Sequence, residues 1–102
     1  MNIAPGIDVS ATALADLCRR YEVKQLSIFG SLSRGEARSD SDADVLVEYR
    51  TPHHQSLFEF MDLQKALTGL FGRQVDLVSR NGLSPYIGPT IIREARPFYA
   101  AE

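Results

Sequence analysis

The chain has 102 residues with 11 basic and 13 acidic side chains, a net charge of −2, 44% apolar residues and 24% charged ones. That balance describes one ordinary globular domain rather than a disordered, fibrous or repeat protein, and no apolar run approaches the roughly 20 residues that cross a bilayer. Cys18 has no partner for an internal disulfide, and the N-terminus lacks a basic region followed by an apolar core, so a cytoplasmic setting is expected. An acidic pI near 5.6 argues against a general nucleic-acid coat, and no direct nucleic-acid partner is expected.

From the N-terminus, Asp8 to Tyr21 reads as a helix, with Leu14, Leu17, Cys18 and Tyr21 on one stripe of a 3.6-residue period. Asp8 or Ser10 is placed to cap its start, and Cys18 on the stripe reads as a buried core thiol. Lys24 to Phe29 is a strand that runs into a glycine-bearing turn at Gly30-Ser31. The polar stretch from Leu32 to Ser41 has room for one helical turn. Asp42 to Tyr49 alternates as a second strand, with Asp42, Asp44, Leu46 and Glu48 on one parity and Ala43, Val45, Val47 and Tyr49 on the other.

Ser56 is placed to cap a helix from Leu57 to Phe71, with Glu59 in its first turn and Gly72 at its end. Phe60, Leu63, Leu67, Leu70 and Phe71 supply its apolar stripe, and Phe58 is grouped with Phe60 and Phe71 as core. Gln74 to Ser79 is a third strand. After a loop rich in Gly, Asn and Pro, Ile91, Ile92 and Ala95 suggest a last short helix stopped by Pro97, and Pro97 to Ala100 a small edge strand. The order α-β-β-α-β-α predicts an α+β fold: a single domain over 1–102, with a small mixed β-sheet packed against helices on one face and the other face partly open.

The stretch that carries chemistry is Ile28 to Val47, IFGSLSRGEARSDSDADVLV. Asp42 and Asp44 stand two apart at a strand start, so both carboxylates leave on one face, roughly 6–7 Å apart along the backbone. Carboxylates directed into a cleft repel unless a cation joins them, and Mg²⁺ is the natural one, since it takes carboxylate and phosphate oxygens together. Asp76 has the parity opposite to Val75 and Leu77 and completes a cluster of three if the third strand lies beside the second, so that Asp42, Asp44 and Asp76 together are expected to hold one or two metal ions. Gly30 lets the backbone approach a ligand, and the N–H groups that follow, with the Ser31 hydroxyl, suit a phosphate. If the first two strands are antiparallel neighbours, phosphate cradle and carboxylates meet at one rim. Arg34 lies in the connecting turn, within reach of either a phosphate or the acidic cluster, with Glu36 and Asp40 as competing partners.

Gly30-Ser31, ten residues and then Asp42-Ala43-Asp44 resembles the GS-x10-DxD signature of the DNA polymerase beta-type nucleotidyltransferase superfamily. With Phe29 before it, Arg34-Gly35 within it and SDADVLV at its end, the string is most similar to the minimal nucleotidyltransferase (MNT) branch, whose members are commonly antitoxins paired with HEPN-domain ribonuclease toxins. The resemblance implies that Gly30 and Ser31 hold the phosphates of a nucleoside triphosphate, that Asp42 and Asp44 bind Mg²⁺, and that Asp76 is the third carboxylate, which assists deprotonation of the attacking hydroxyl. It further implies transfer of AMP from ATP to a hydroxyl, a tyrosine of a HEPN toxin being the expected acceptor. So short a chain is expected to have no room for the second domain by which larger relatives grip base and acceptor, so the small core itself, self-association or a partner is expected to supply those contacts. Two other readings stand beside this one, a non-catalytic antitoxin that masks its partner and a transferase with a small-molecule acceptor.

The remaining polar residues read more plainly. Adjacent His53 and His54 point apart on an extended chain and have no third ligand nearby. Arg38 reads as a solvated turn residue, and Arg73 and Arg80 as solvated strand ends that can also steer a triphosphate. Arg93, Arg96, Phe98 and Tyr99 form a basic and aromatic C-terminal edge open to a partner.

Overall fold

Four strands make the main sheet: β3 (Val23–Phe29), β4 (Ala43–Tyr49), β5 (Val75–Ser79) and β6 (Arg96–Ala100), in the spatial order β5-β4-β3-β6. The computed structural model describes residues 1–36, 38, 40–51 and 54–101. β3 is antiparallel to both β4 and β6, while β4 and β5 are parallel and joined through the helix α3 (Leu57–Phe71). The sheet is therefore mixed, as the alternation of elements predicts, and β6 forms an edge.

The alternation along β4 sorts its side chains. Ala43, Val45, Val47 and Tyr49 are all buried in the core, where they meet Leu63, Leu67 and Phe71 of α3 and Leu14 and Cys18 of α1 (Ala11–Arg20). Ser10 caps α1, its hydroxyl accepting from Ala13 N–H at 3.1 Å, and Ser56 caps α3 by accepting from Glu59 N–H at 3.1 Å. Gly72 ends α3 in the left-handed conformation at φ 73°. Burial pushes the Cys18 thiol up to about 12, so it is a protonated core group at neutral pH.

Several expectations need correction. The first helix begins at Ala11, not Asp8, because Asp8 belongs to an N-terminal hairpin of β1 (Asn2–Ala4) and β2 (Ile7–Asp8), which no sequence pattern signals. Ala4, Ile7 and Val9 bury their side chains, so this hairpin closes one end of the core. Phe58 is not core: it is 79% exposed. At about 100° per residue it stands some 200° round the helix from Phe60, away from the buried stripe of Leu63, Leu67 and Phe71. The final helix, α4, spans Gly88–Glu94 and leaves Ile92 exposed and Ala95 outside it, and β6 starts one residue earlier than Pro97. The face opposite α1 and α3 is partly open, as expected, with Ser27, Phe29 and Leu46 buried on it. His53 lies outside the described residues, and His54 is exposed.

The hydroxyl of Tyr49 is shut from solvent with no hydrogen-bond partner among the described residues, and burial, with the Glu59 carboxylate adding to it, pushes the phenol up to about 12. A buried donor without an acceptor forfeits its hydration. Tyr49→Phe is therefore expected to leave stability unchanged or to raise it by up to about 1 kcal/mol, whereas Leu67→Ala, at a fully buried position, lowers it by about 2–5 kcal/mol. Urea midpoints of the two variants check this; a Tyr49→Phe variant as unstable as Leu67→Ala would contradict it.

Candidate active site

The site is built by the register of β4. Asp44 is paired with Phe29 on β3 and with Asp76 on β5. Neighbouring strands lie roughly 4.7–4.9 Å apart, so Asp44 and Asp76 leave the sheet side by side, and Asp42 follows on the same face two residues before Asp44. The residue after Phe29 is Gly30, which places the turn into α2 (Ser31–Arg34) against the same carboxylates. Gly30, Ser31, Asp42, Asp44 and Asp76 thus share one rim of the sheet. Antiparallel pairing of β3 with β4, and a third strand beside the second, are the two conditions on which the sequence-based site rests, and both hold.

Gly30 has φ 68° and ψ −144°, a region that only glycine occupies readily. A Cβ there would also collide with the Asp44 carboxylate. Its carbonyl accepts from the Ser33 hydroxyl at 2.8 Å and from the N–H groups of Ser33 and Arg34 at 3.1 and 3.2 Å. The turn is thereby locked, while the opening N–H groups of a helix face outward without intrahelical acceptors.

Asp76 is held from the other side. The outward N–H groups of Val75 and Leu77 on the edge strand β5 are taken by α3, through Thr68 Oγ1 at 3.1 Å and Gln64 Oε1 at 2.9 Å. These two side chains fix the strand between them and cover an edge that would otherwise be open. The strand starts are joined by Ala43 N–H, which donates to the Gln74 carbonyl at 2.8 Å. Arg73 donates to the carbonyls of Arg38 and Ser41 at 3.2 and 3.4 Å, and so clamps the loop that delivers Asp42. Sequence reasoning missed Gln64 and Thr68 altogether, and Arg73 is a backbone clamp rather than a solvated strand end.

The charges of the other two aspartates are felt at Asp44. The Asp44 carboxyl is raised above its ordinary value, first by burial, then by the negative charges of Asp76 and Asp42, with Arg34 opposing. Asp42 and Asp76 are exposed and Asp44 half-buried, so the rim is open to solvent. Among the described residues no three His, Cys, Asp or Glu side chains converge closely enough to hold a metal ion by themselves. Mg²⁺ does not require such a cage, since one or two carboxylates together with substrate phosphates suffice. Hard oxygen donors in mutual repulsion, beside a turn kept free of a Cβ, fit that cation. Arg34 forms ion pairs with Glu36 (Nε to Oε2, 3.1 Å) and with Glu94 of α4 (Nη1 to Oε2, 3.1 Å). The expected competition by Glu36 is present, Asp40 is not its partner, and Glu94 is a second partner that no sequence signal marked. Arg80 pairs with Glu48 at 3.3 Å, away from the rim.

A small mixed sheet that presents a glycine turn and paired aspartates in this register is the frame of a nucleotidyltransferase, and the chain belongs to the nucleotidyltransferase domain family, whose model matches residues 11–98. It is 40% identical over 79 residues to the protein adenylyltransferase MntA of Thermococcus cleftensis, covering 78% of each chain. Among solved structures it is similar to a protein assigned as a minimal nucleotidyltransferase, with a TM-score of 0.72 and 41% identity over 85% of this chain and 87% of that one. It also shares its fold with a chain of a toxin–antitoxin complex solved with AMP-PNP, with a TM-score of 0.71 and 19% identity over 89% of this chain and 73% of that one.

Gly30→Ala is expected to cost roughly 1–3 kcal/mol of stability through backbone strain alone. Adding Asp44→Ala relieves the collision but not the strain, so the double variant regains only part of the loss. Chemical denaturation of the two single variants and the double variant measures both parts. A double variant as stable as Asp44→Ala alone would show that the conformation at Gly30 is not strained.

Proposed function

We propose that this protein is a Mg²⁺-dependent adenylyltransferase of the antitoxin type, which moves AMP from ATP to a tyrosine hydroxyl of a HEPN-domain toxin. The observation that carries the proposal is the pairing of Asp44 with Phe29 on one side and Asp76 on the other. It gathers a glycine turn and three carboxylates at one rim. Support for the protein acceptor comes from the relative's name, protein adenylyltransferase, and from the fold shared with a chain of the complex between a tri-AMPylated HEPN toxin of Shewanella oneidensis and its MNT antitoxin, with a TM-score of 0.63 and 17% identity.

In this reading the N–H groups at the start of α2 and the Ser31 hydroxyl bind the triphosphate, and Arg34 adds a positive charge beside it. Asp42 and Asp44 would hold Mg²⁺, which when bound neutralises the phosphates and makes the α-phosphorus more electrophilic. Asp76, level with Asp44 but more exposed, accepts the proton of the acceptor hydroxyl. The acceptor oxygen forms its bond to the α-phosphorus as the bond to the bridging oxygen breaks, and pyrophosphate leaves. The open rim cannot by itself enclose nucleotide and acceptor, since pockets of that kind bury most of their ligand. A second protein is therefore expected to close it and bring its hydroxyl to within about 3–3.5 Å of the phosphorus.

Incubation of wild-type protein with α-labelled ATP, Mg²⁺ and the HEPN protein is expected to label that protein. Asp42→Asn with Asp44→Asn is expected to abolish labelling, and Asp76→Asn to slow it by roughly 10²–10⁴-fold while nucleotide and partner still bind. Labelling by the Asp42/Asp44 double variant at the wild-type rate would overturn the reading. Toxin neutralisation by that variant without any labelling would instead establish masking by binding alone.

A further inference from the structure

Glu94 stands where a carboxylate does nothing for its own helix. It ends α4, in the last turn, where a negative charge opposes the helix dipole. The register of β6 explains its position: Arg96 pairs with Ile28, so the antiparallel chain two residues earlier arrives beside Gly30. There both oxygens of the Glu94 carboxylate accept from Arg34 Nη1, at 3.2 and 3.1 Å, although the two residues are 60 apart in sequence. Glu36 takes Nε of the same guanidinium at 3.1 Å. Arg34 itself ends α2, the short helix that the turn at Gly30 opens, and its positive charge is felt at Asp44.

We propose that Glu94 is a positioning residue, whose carboxylate holds the Arg34 guanidinium at the rim in the orientation that meets the polyphosphate of the nucleotide. The proposal rests on the nucleotidyltransferase reading and assigns a task to the C-terminal helix that the family signature does not contain. An exposed arginine left to itself spreads over many rotamers, and the affinity it confers falls with the fraction in the competent one. Two carboxylates on Nε and Nη1 restrict that spread, and the other guanidinium N–H groups remain available to phosphate oxygens. Glu36 is the weaker restraint, on a more exposed side chain than Glu94 (63% against 30%). The partly buried Glu94 fixes the guanidinium to a second element of the fold.

The experiment is a titration of the full chain with ATP and Mg²⁺, without any partner, for wild type, Arg34→Ala, Glu94→Ala, Glu94→Gln and the Arg34→Ala/Glu94→Ala double variant, with the ligand-free melting temperature of each recorded alongside. Arg34→Ala is expected to weaken ATP about tenfold, as one charge-assisted hydrogen bond is lost. Glu94→Ala is expected to weaken it about fivefold through lost orientation, Glu94→Gln less, since its amide oxygen still accepts, and the double variant no more than Arg34→Ala. Additive losses in the double variant, or a Glu94→Ala variant that binds ATP as wild type does, overturn the proposal and leave the nucleotidyltransferase reading standing. So does a Glu94→Ala variant whose lost affinity is matched by lost melting temperature and is not recovered by Glu94→Gln, which marks a purely structural tie. Wild type that binds no ATP overturns the reading and the proposal together.

Discussion

β4 is hydrogen-bonded on both sides, antiparallel to β3 and parallel to β5, and its register sets every relation at the candidate site. One residue of slip against β3 would turn Asp44 into the core and Val45 toward solvent, because side chains alternate with a period of two. The buried set of Ala43, Val45, Val47 and Tyr49 forbids that slip. Packing therefore fixes the chemistry: the hydrophobic face that stabilises the sheet is also what presents Asp42 and Asp44 together on the opposite parity.

Electrostatics then works against the fold at the same place. Three carboxylates at one rim repel, and burial of Asp44 adds to the cost of its charge. A structure evolved only for stability would not keep them. Around this cluster hydrogen bonds to the backbone hold geometry: neutral ones from Gln64 and Thr68 on β5 and from Ser33 on the carbonyl of Gly30, and charge-assisted ones from Arg73 on the carbonyls of Arg38 and Ser41. Each restrains backbone near a repelling group without pairing with a carboxylate of the cluster, and Asp42 and Asp76 stay exposed at the rim.

Much of this was legible in the sequence, for identifiable reasons. Strand alternation at Asp42–Tyr49, the serine caps at Ser10 and Ser56 and the glycine stop at Gly72 are local signals, and each corresponds to an observed feature. The clustering of Asp76 with Asp44 followed from parity together with one assumption about strand neighbours. What escaped is non-local or weakly patterned. The hairpin of β1 and β2 has strands of three and two residues, too short for any period to show. Phe58 is expected in the core with Phe60 and Phe71 on helical spacing, but two residues from Phe60 is over half a turn, and its angular position sends it to solvent. Gln64, Thr68 and Glu94 act across 13, 7 and 60 residues of sequence, and nothing in their immediate surroundings distinguishes them from surface polar residues.

The central claim is that the rim formed by Gly30, Asp42, Asp44 and Asp76 takes a metal and a triphosphate as one unit. Thermal unfolding of the wild-type protein, with and without ATP and Mg²⁺, tests it most directly, because a ligand that binds only the folded state raises the melting temperature. The account predicts a clear rise with ATP and Mg²⁺ together, a smaller one with either alone, and none in the Asp42→Asn/Asp44→Asn variant, whose ligand-free stability is at least that of wild type. An equal rise in that variant, or no rise in wild type, would contradict it.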